Sequence, residues 1–235
     1  MNNIRISVAM ATYNGEKYLK EQLESILVNL KENDELIISD DGSTDGTREI
    51  IYKYLENDNR IKLFDGPKNG VKQNFANAIN KCSGEYVFLA DQDDIWYDNK
   101  VEEVLNVFKA EMDVTLVVHN CKIVNEKLEE LDKNFFEYRK SGIGIFKNIL
   151  KNTYIGCCMA FKKEMKNKIL PIPKDIEMHD QWIGILNEKY GNSFFLNKEL
   201  LMYRRHENNV SQMKHYGIIK MIRNRVFFIM WYLKR

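Results

Sequence analysis

Three carboxylates within four residues, Asp91-Gln92-Asp93-Asp94, stand directly after the apolar run Tyr86–Ala90 (YVFLA). Like charges at that spacing repel one another, and strand-end packing has no need of them. A divalent cation resolves the repulsion and suits carboxylate oxygen. Such an ion can bridge to a diphosphate and neutralise the charge that builds as a phosphate leaves. The plainer reading is a solvated acidic turn capping the next helix, but the position straight after a buried strand favours the ion. Asp40-Asp41-Gly42-Ser43 also follows an apolar run, and here two readings stand. Asp41 can accept the ring N3–H of uracil or thymine, which cytosine lacks, or the segment can serve as turn and cap for the helix from Arg48. Thr12-Tyr13-Asn14 could line the same base and ribose. A further candidate, Asp180 in His179-Asp180-Gln181-Trp182, lies at a predicted helix start, where a cap and a general base are both open.

These residues need a scaffold, and the apolar pattern supplies one. Arg5–Ala11, Leu36–Ser39, Ile61–Phe64, Tyr86–Ala90 and Val114–Val118 read as short buried strands. Between them, helical periodicity marks a segment from Glu16, then Arg48–Leu55, Gly70–Lys81 and Lys100–Lys109. Strands alternating with helices predict a doubly wound α/β domain with a mostly parallel sheet. Ligands in such sheets sit outside the carboxyl ends of the strands. The polar clusters after Ala11, Ser39 and Ala90 all fall at that edge, so three loops converge on one crevice. The second half is less regular: Ile155–Phe161 suggests a strand, His179–Tyr190 a helix, and Ser193–Leu196 and Leu200–Tyr203 two short strands. Tyr216–Arg235 reads as a basic amphipathic helix.

The 235 residues suit one domain with a small appendage. With 35 basic and 34 acidic residues, the chain lacks the basic excess of a general nucleic-acid binder. Cys82, Cys121, Cys157 and Cys158 form no C-x-x-C pair and read as reduced thiols. No signal peptide and no run of ~18 apolar residues is visible. The expected location is therefore cytoplasmic, with peripheral contact at the inner face of the plasma membrane as one role for residues 216–235. Docking on this domain or on a second copy, as a homodimer, is the other.

Taken in order, Ala11-Thr12-Tyr13-Asn14-Gly15, Asp40-Asp41-Gly42-Ser43-Thr44-Asp45, Asp91-Gln92-Asp93-Asp94 with Trp96, and His179-Asp180-Gln181-Trp182 resemble the family 2 glycosyltransferases of the GT-A fold. The likeness runs from about residue 4 to about residue 212. It is greatest to bacterial rhamnosyltransferase-type members, whose later Y-R-x-H is matched by Tyr203-Arg204-Arg205-His206, followed here by Asn209-Val210-Ser211. The resemblance implies a Rossmann-like, mostly parallel sheet flanked by helices over residues 1–212. Residues 1–120 would form its nucleotide-sugar half and 121–212 its acceptor half, with a C-terminal helix in 213–235.

It also implies roles. Thr12, Tyr13, Asn14, Asp41 and Asp91 would bind the nucleotide sugar. Asp91, Asp93 and His206 would hold Mn2+ or Mg2+, and Asp180 would act as the base of an inverting transfer. Trp96 and Trp182 could wall the sugar site or belong to the core. The donor would carry dTDP or UDP, with L-rhamnose implied by the likeness alone. The acceptor would be a hydroxyl of a bacterial cell-surface polysaccharide or a lipid-linked glycan. A UDP-dependent glucosyl- or galactosyltransferase is the near alternative, and a non-catalytic glycan- or nucleotide-binding relative a further one. A sugar-nucleotide pyrophosphorylase would want a Gly-rich, Arg-containing loop after the first strand, which Ala11–Gly15 is not.

Overall fold

The computed structural model describes residues 5–131, 133–207, 209 and 217–235, without the side chains of 218 and 219. Val210, Ser211 and Tyr216, which the sequence reading singled out, lie outside the described residues. The first half follows the predicted alternation: β1 (Ile6–Thr12), α1 (Leu19–Leu27), β2 (Glu35–Asp40), α2 (Thr47–Leu55), β3 (Ile61–Asp65), α3 (Val71–Lys81), β4 (Tyr86–Ala90). Every residue of β1, β2 and β4 is buried, because helices cover both faces of the sheet, as parallel strands demand.

A short β5 (Ile95–Trp96) follows the acidic loop, then α4 (Lys100–Ala110) and an eleven-residue β6 (Val114–Val124). The region after it holds short helices that the sequence periodicity did not reveal: α5 (Phe135–Arg139), α6 (Ile145–Leu150) and α7 (Lys166–Ile169). The strand expected at Ile155–Phe161 is shorter. Gly156–Cys158 forms a single helical turn, and β7 is Met159–Lys162. Then come α8 (His179–Tyr190), β8 (Asn192–Arg204) and α9 (Ile218–Lys234).

The eight strands among the described residues join one sheet in the order β3-β2-β1-β4-β7-β6-β8-β5. Pairing is parallel through β3, β2, β1 and β4 and between β6 and β8. β7 is antiparallel to both β4 and β6, and β5 is antiparallel to β8. Six strands therefore run one way. The carboxyl ends of β1, β2, β4, β6 and β8 and the start of β7 share one edge, where every candidate loop sits.

The opposite edge is fastened separately. Buried Glu35 accepts hydrogen bonds from Ser7 Oγ (2.6 Å), Ser83 N (2.7 Å) and Lys62 Nζ (2.8 Å), and Arg5 adds an ion pair at 3.0 Å. Burial opposes ionisation of Glu35, but these donors outweigh it and bring its pKa down to about 2.

Candidate active site

The loop after β1 is held by its neighbours rather than by itself. Tyr13 N–H donates to Gln92 Oε1 (2.8 Å), and Gln92 Nε2 donates back to Tyr13 O (3.0 Å). This two-point clamp joins the first loop to the acidic loop. It depends on Gly15, where an added Cβ would stand 2.4 Å from Gln92 Oε1. Asn14, at φ 48°, donates its N–H to Ser43 Oγ (2.9 Å) and accepts Thr44 N–H on Oδ1 (2.8 Å). Its side chain thereby ties the first loop to the second, leaving the exposed Tyr13 ring on the outside.

The two aspartates after β2 differ in kind. Asp40 is buried and takes bonds from Thr12 Oγ1 (2.9 Å), Ser43 Oγ (2.6 Å) and Arg48 (3.2 Å). Burial opposes its ionisation, and these bonds more than offset it, so its pKa is lowered. Asp41 is half-buried and accepts backbone N–H bonds from Gly70 at 2.8 Å and Asn69 at 3.4 Å. Buried Asn74 of α3 spans the ends of β1 and β2, donating to Thr12 O and Ser39 O.

The acidic loop concentrates charge. Asp91 has its pKa raised well above the usual carboxylate range, by burial first and then by repulsion from Asp94, Asp93 and Asp180. Asp94 is buried. Its Oδ1 accepts Arg204 N–H (3.1 Å), while Oδ2 has no partner among the described residues. Burial and then repulsion from Asp93 push its pKa up to about 7, against a smaller lowering effect of the nearby Cys157 thiol. Asp91, Asp94 and Cys157 offer ligand atoms within 4.8 Å of one another. Asp93 faces another partner: its Oδ2 lies 2.7 Å from His206 Nε2 and 3.2 Å from Asn209 Nδ2. The structure thus brings His206 against Asp93, and Asp94 and Cys157 beside Asp91.

Asp180 occupies the first turn of α8, buried. Its Oδ1 accepts both Asn152 Nδ2 (3.1 Å) and Gln181 N–H (2.6 Å). Burial is the main reason its pKa rises to about 6. Its neighbour His179 stacks on Phe75 at 4.0 Å between centroids, and neither ring nitrogen has a partner among the described residues. Burial drives the His179 pKa down to about 3. A Cβ on Gly156 would stand 2.8 Å from His179 Nε2, so the small residue lets the turn before β7 close against α8.

Trp96 and Trp182 do not wall this cavity. At 2% and 0% exposure they are core residues. Trp96 packs between Phe88 and Lys100, and Trp182 bonds Ile169 O and meets Phe228 edge-on.

Several residues to which the motifs gave no role hold the site together. Gln22 Nε2 bonds Asp91 O at 2.7 Å. Arg204 bonds Asp93 O through Nε (2.9 Å) and stacks its guanidinium on Tyr18. Lys100 is fully buried, with Nζ 2.8 Å from Cys157 O and 3.5 Å from the Trp96 ring centre. Burial lowers its pKa to about 8. It had a legible signal: Lys100 shares the i, i+4, i+8 stripe of Val104 and Phe108, which makes it the one cation on an apolar face.

A family model described as Glycosyl transferase family 2 matches residues 7–170. The chain belongs to glycosyltransferase family 2. It is 28% identical over 245 residues to the dTDP-rhamnosyl transferase RfbG of Shigella flexneri, covering 96% of this chain and 81% of that protein. In three dimensions it is similar to S. aureus TarS 1-349, solved with UDP-GlcNAc, at a TM-score of 0.75 and 20% identity over 96% of this chain and 66% of that one. It is also similar to the mannosyltransferase PcManGT of Pyrobaculum calidifontis, solved with GDP-Man and Mn2+, at a TM-score of 0.66 and 18% identity over 87% and 58%. The mixed sheet flanked by helices is the GT-A architecture. The chain spans only about half the length of several curated relatives, between 43% and 54% of three of them.

Proposed function

We propose that this chain transfers a sugar from a nucleoside-diphosphate donor to a glycan hydroxyl with inversion at the anomeric carbon, and that Asp180 is the general base. The observation that carries this reading is Asp180 itself. It is a buried carboxyl whose two hydrogen bonds both fall on Oδ1, near enough to Asp91 to raise that residue's pKa. An acceptor hydroxyl beside Oδ2 gives its proton to Asp180 while its oxygen bonds the anomeric carbon. The nucleoside diphosphate leaves from the opposite face with the bonding electrons. A single displacement needs no second nucleophilic carboxylate. General-base assistance of this kind is worth ~10²–10⁴-fold.

The acidic loop fits a divalent cation, Mn2+ or Mg2+, on three grounds. Its donors are mainly oxygen, its carboxylates repel one another, and Asp94 Oδ2 is buried without a partner among the described residues. Asp91 and Asp93 with His206 would hold it, with Asp94 beside them. When bound, the ion supplies positive charge for the departing diphosphate. The presence of Mn2+ with GDP-Man in PcManGT supports the assignment.

Thr12, Tyr13 and Asn14 contribute the nucleotide loop, and Asp41 meets N3–H of uracil or thymine. RfbG is named for dTDP-rhamnose chemistry and TarS is solved with UDP-GlcNAc, so L-rhamnose from dTDP and a hexose from UDP are the two donors to test. The acceptor in this reading is a bacterial surface polysaccharide or lipid-linked glycan, glycosylated on the cytoplasmic side. Titration with dTDP and UDP, with and without Mn2+, then transfer assays on a panel of dTDP- and UDP-sugars, tests the proposal. Nucleotide binding that ignores the metal would remove the ion from it, and absence of any transfer or donor hydrolysis would remove the activity.

A further inference from the structure

Helix α9 turns two faces in opposite directions. One carries buried Phe228, packed against Trp182, with Trp231 and Tyr232 against the core. The other carries Ile222, Val226, Ile229 and Leu233, all exposed, Leu233 at 74%. At 100° per residue these four fall within an arc of about 60°, a continuous apolar stripe with nothing on it among the described residues. Arg225 donates to Leu150 O, which lays the end of α6 beside the middle of α9. There α6 adds two more exposed apolar side chains, Phe146 at 84% and Leu150.

Charge says what such a face meets. The segments 139–151 and 217–235 carry nine Lys and Arg, four in the first and five in the second, and no Asp or Glu. The whole chain is balanced at 35 to 34, so these two segments gather basic charge, which Glu177 and Asp175 beside α9 offset only in part. Arg225 flanks the stripe on one side, and Arg223 and Lys234 on the other. We propose that α9 and α6 together form a docking surface for an anionic lipid bilayer, with the apolar stripe entering the headgroup boundary and the basic residues meeting lipid phosphates. A second copy is a poor occupant, because symmetric pairing would bring two mainly basic faces together; their acidic neighbours are Glu177, bonded by Asn224, and Asp175 beside it. No described helix is long and apolar enough to cross a membrane, so the contact is peripheral.

The surface adjoins the candidate site. Leu150 lies two residues before Asn152, whose amide bonds Asp180. Docked in this way, the protein holds its candidate base near the lipid surface. This suits an acceptor hydroxyl carried on a lipid, an extension that rests on the glycosyltransferase reading.

Co-sedimentation of the full chain with phosphatidylglycerol and with phosphatidylcholine vesicles tests the surface. No donor is present, so failure here leaves the transfer reading intact, and an inactive site leaves vesicle binding intact. Binding is expected to phosphatidylglycerol only and to weaken as salt rises. Val226→Glu with Ile229→Glu should weaken it about tenfold or more, and Phe146→Ser should weaken it less, with thermal melting unchanged in both. Charge removal by Arg223→Gln with Lys234→Gln provides a second test that leaves the stripe untouched. Equal binding to both lipids, or wild-type binding by all these variants, overturns the proposal. So does a lipid-free dimer that Val226→Glu with Ile229→Glu dissolves, which would make the face a self-association surface.

Discussion

Replacing Asp180 by asparagine should abolish transfer and yet make the protein more stable, a combination that few other roles produce. Asparagine keeps an oxygen able to accept the bonds from Asn152 and Gln181 that now fall on Oδ1, so the local fold is preserved. The lost function is proton acceptance, and the rate should drop ~10²–10⁴-fold. Stability moves the other way. Burial raises the Asp180 pKa from 3.8 to about 6, so the folded state favours the protonated carboxyl. The contribution of this group is complete below the unfolded value near 3.8 and is lost as pH climbs through about 6. By pH 7 the buried charge costs up to about 3 kcal/mol, at about 1.4 kcal/mol per pK unit. Removing it should raise Tm by up to roughly 6–12 °C for a chain of this size, at about 2–4 °C per kcal/mol. The same carboxyl sets a pH profile. A group with pKa about 6 goes from roughly nine-tenths ionised at pH 7 to roughly one-tenth at pH 5, so wild-type kcat/KM should fall about tenfold. Nucleoside diphosphate release, followed at both pH values, and differential scanning calorimetry at pH 7 read these outcomes. A variant that transfers sugar at the wild-type rate, or a flat wild-type profile from pH 7 to 5, would refute the assignment.

Other perturbations probe separate parts of the structure. Glu35→Gln should lower stability at pH 7 by about 2–3 kcal/mol, because its pKa is held at about 2 by Lys62, Ser7 and Ser83. In the wild type that contribution is present above pH ~4.5 and disappears as pH falls toward 2, which urea titration across the acid range would reveal as an unchanged midpoint if the knot is idle. Gly156→Ala places a methyl 2.8 Å from His179 Nε2; a loss of about 1–3 kcal/mol with reduced turnover is expected, and wild-type melting would show that the turn has room to spare. Chelation, or Asp93→Asn, should weaken nucleotide diphosphate binding, read by calorimetry with and without Mn2+. Identical isotherms would count against the acidic loop as an ion site.

The first half of the fold was readable because its strands are uninterrupted apolar runs, such as Val8-Ala9-Met10 and Val87-Phe88-Leu89. The polar loops that stop them mark the sheet edge. The second half hid its form for identifiable reasons. β8 looks like two strands because Asn197-Lys198-Glu199 interrupts the pattern; the chain bridges that stretch with register irregularities against β6 around His119 and Asn120. α5 is only five residues long and is fixed by Asn134 capping Glu137 N–H, a signal too short to register as periodicity. Tryptophan type alone cannot separate a sugar platform from a core residue, and both tryptophans in the motifs proved to be core. Likewise, the sequence marks Asp40 and Asp41 as a pair, while only the hydrogen bonds show that Asp40 is consumed by Thr12, Ser43 and Arg48.

Gln92 makes the first loop and the acidic loop one mechanical part. Because its side-chain amide grips both the N–H and the carbonyl of Tyr13, neither loop shifts without dragging the other. Whatever settles the carboxylates therefore also sets the height of the tyrosine ring. If an occupant of one loop changes the affinity of the other, thermodynamic reciprocity requires the reverse effect by an equal factor. A metal and a nucleoside bound at these loops would be linked through a single glutamine.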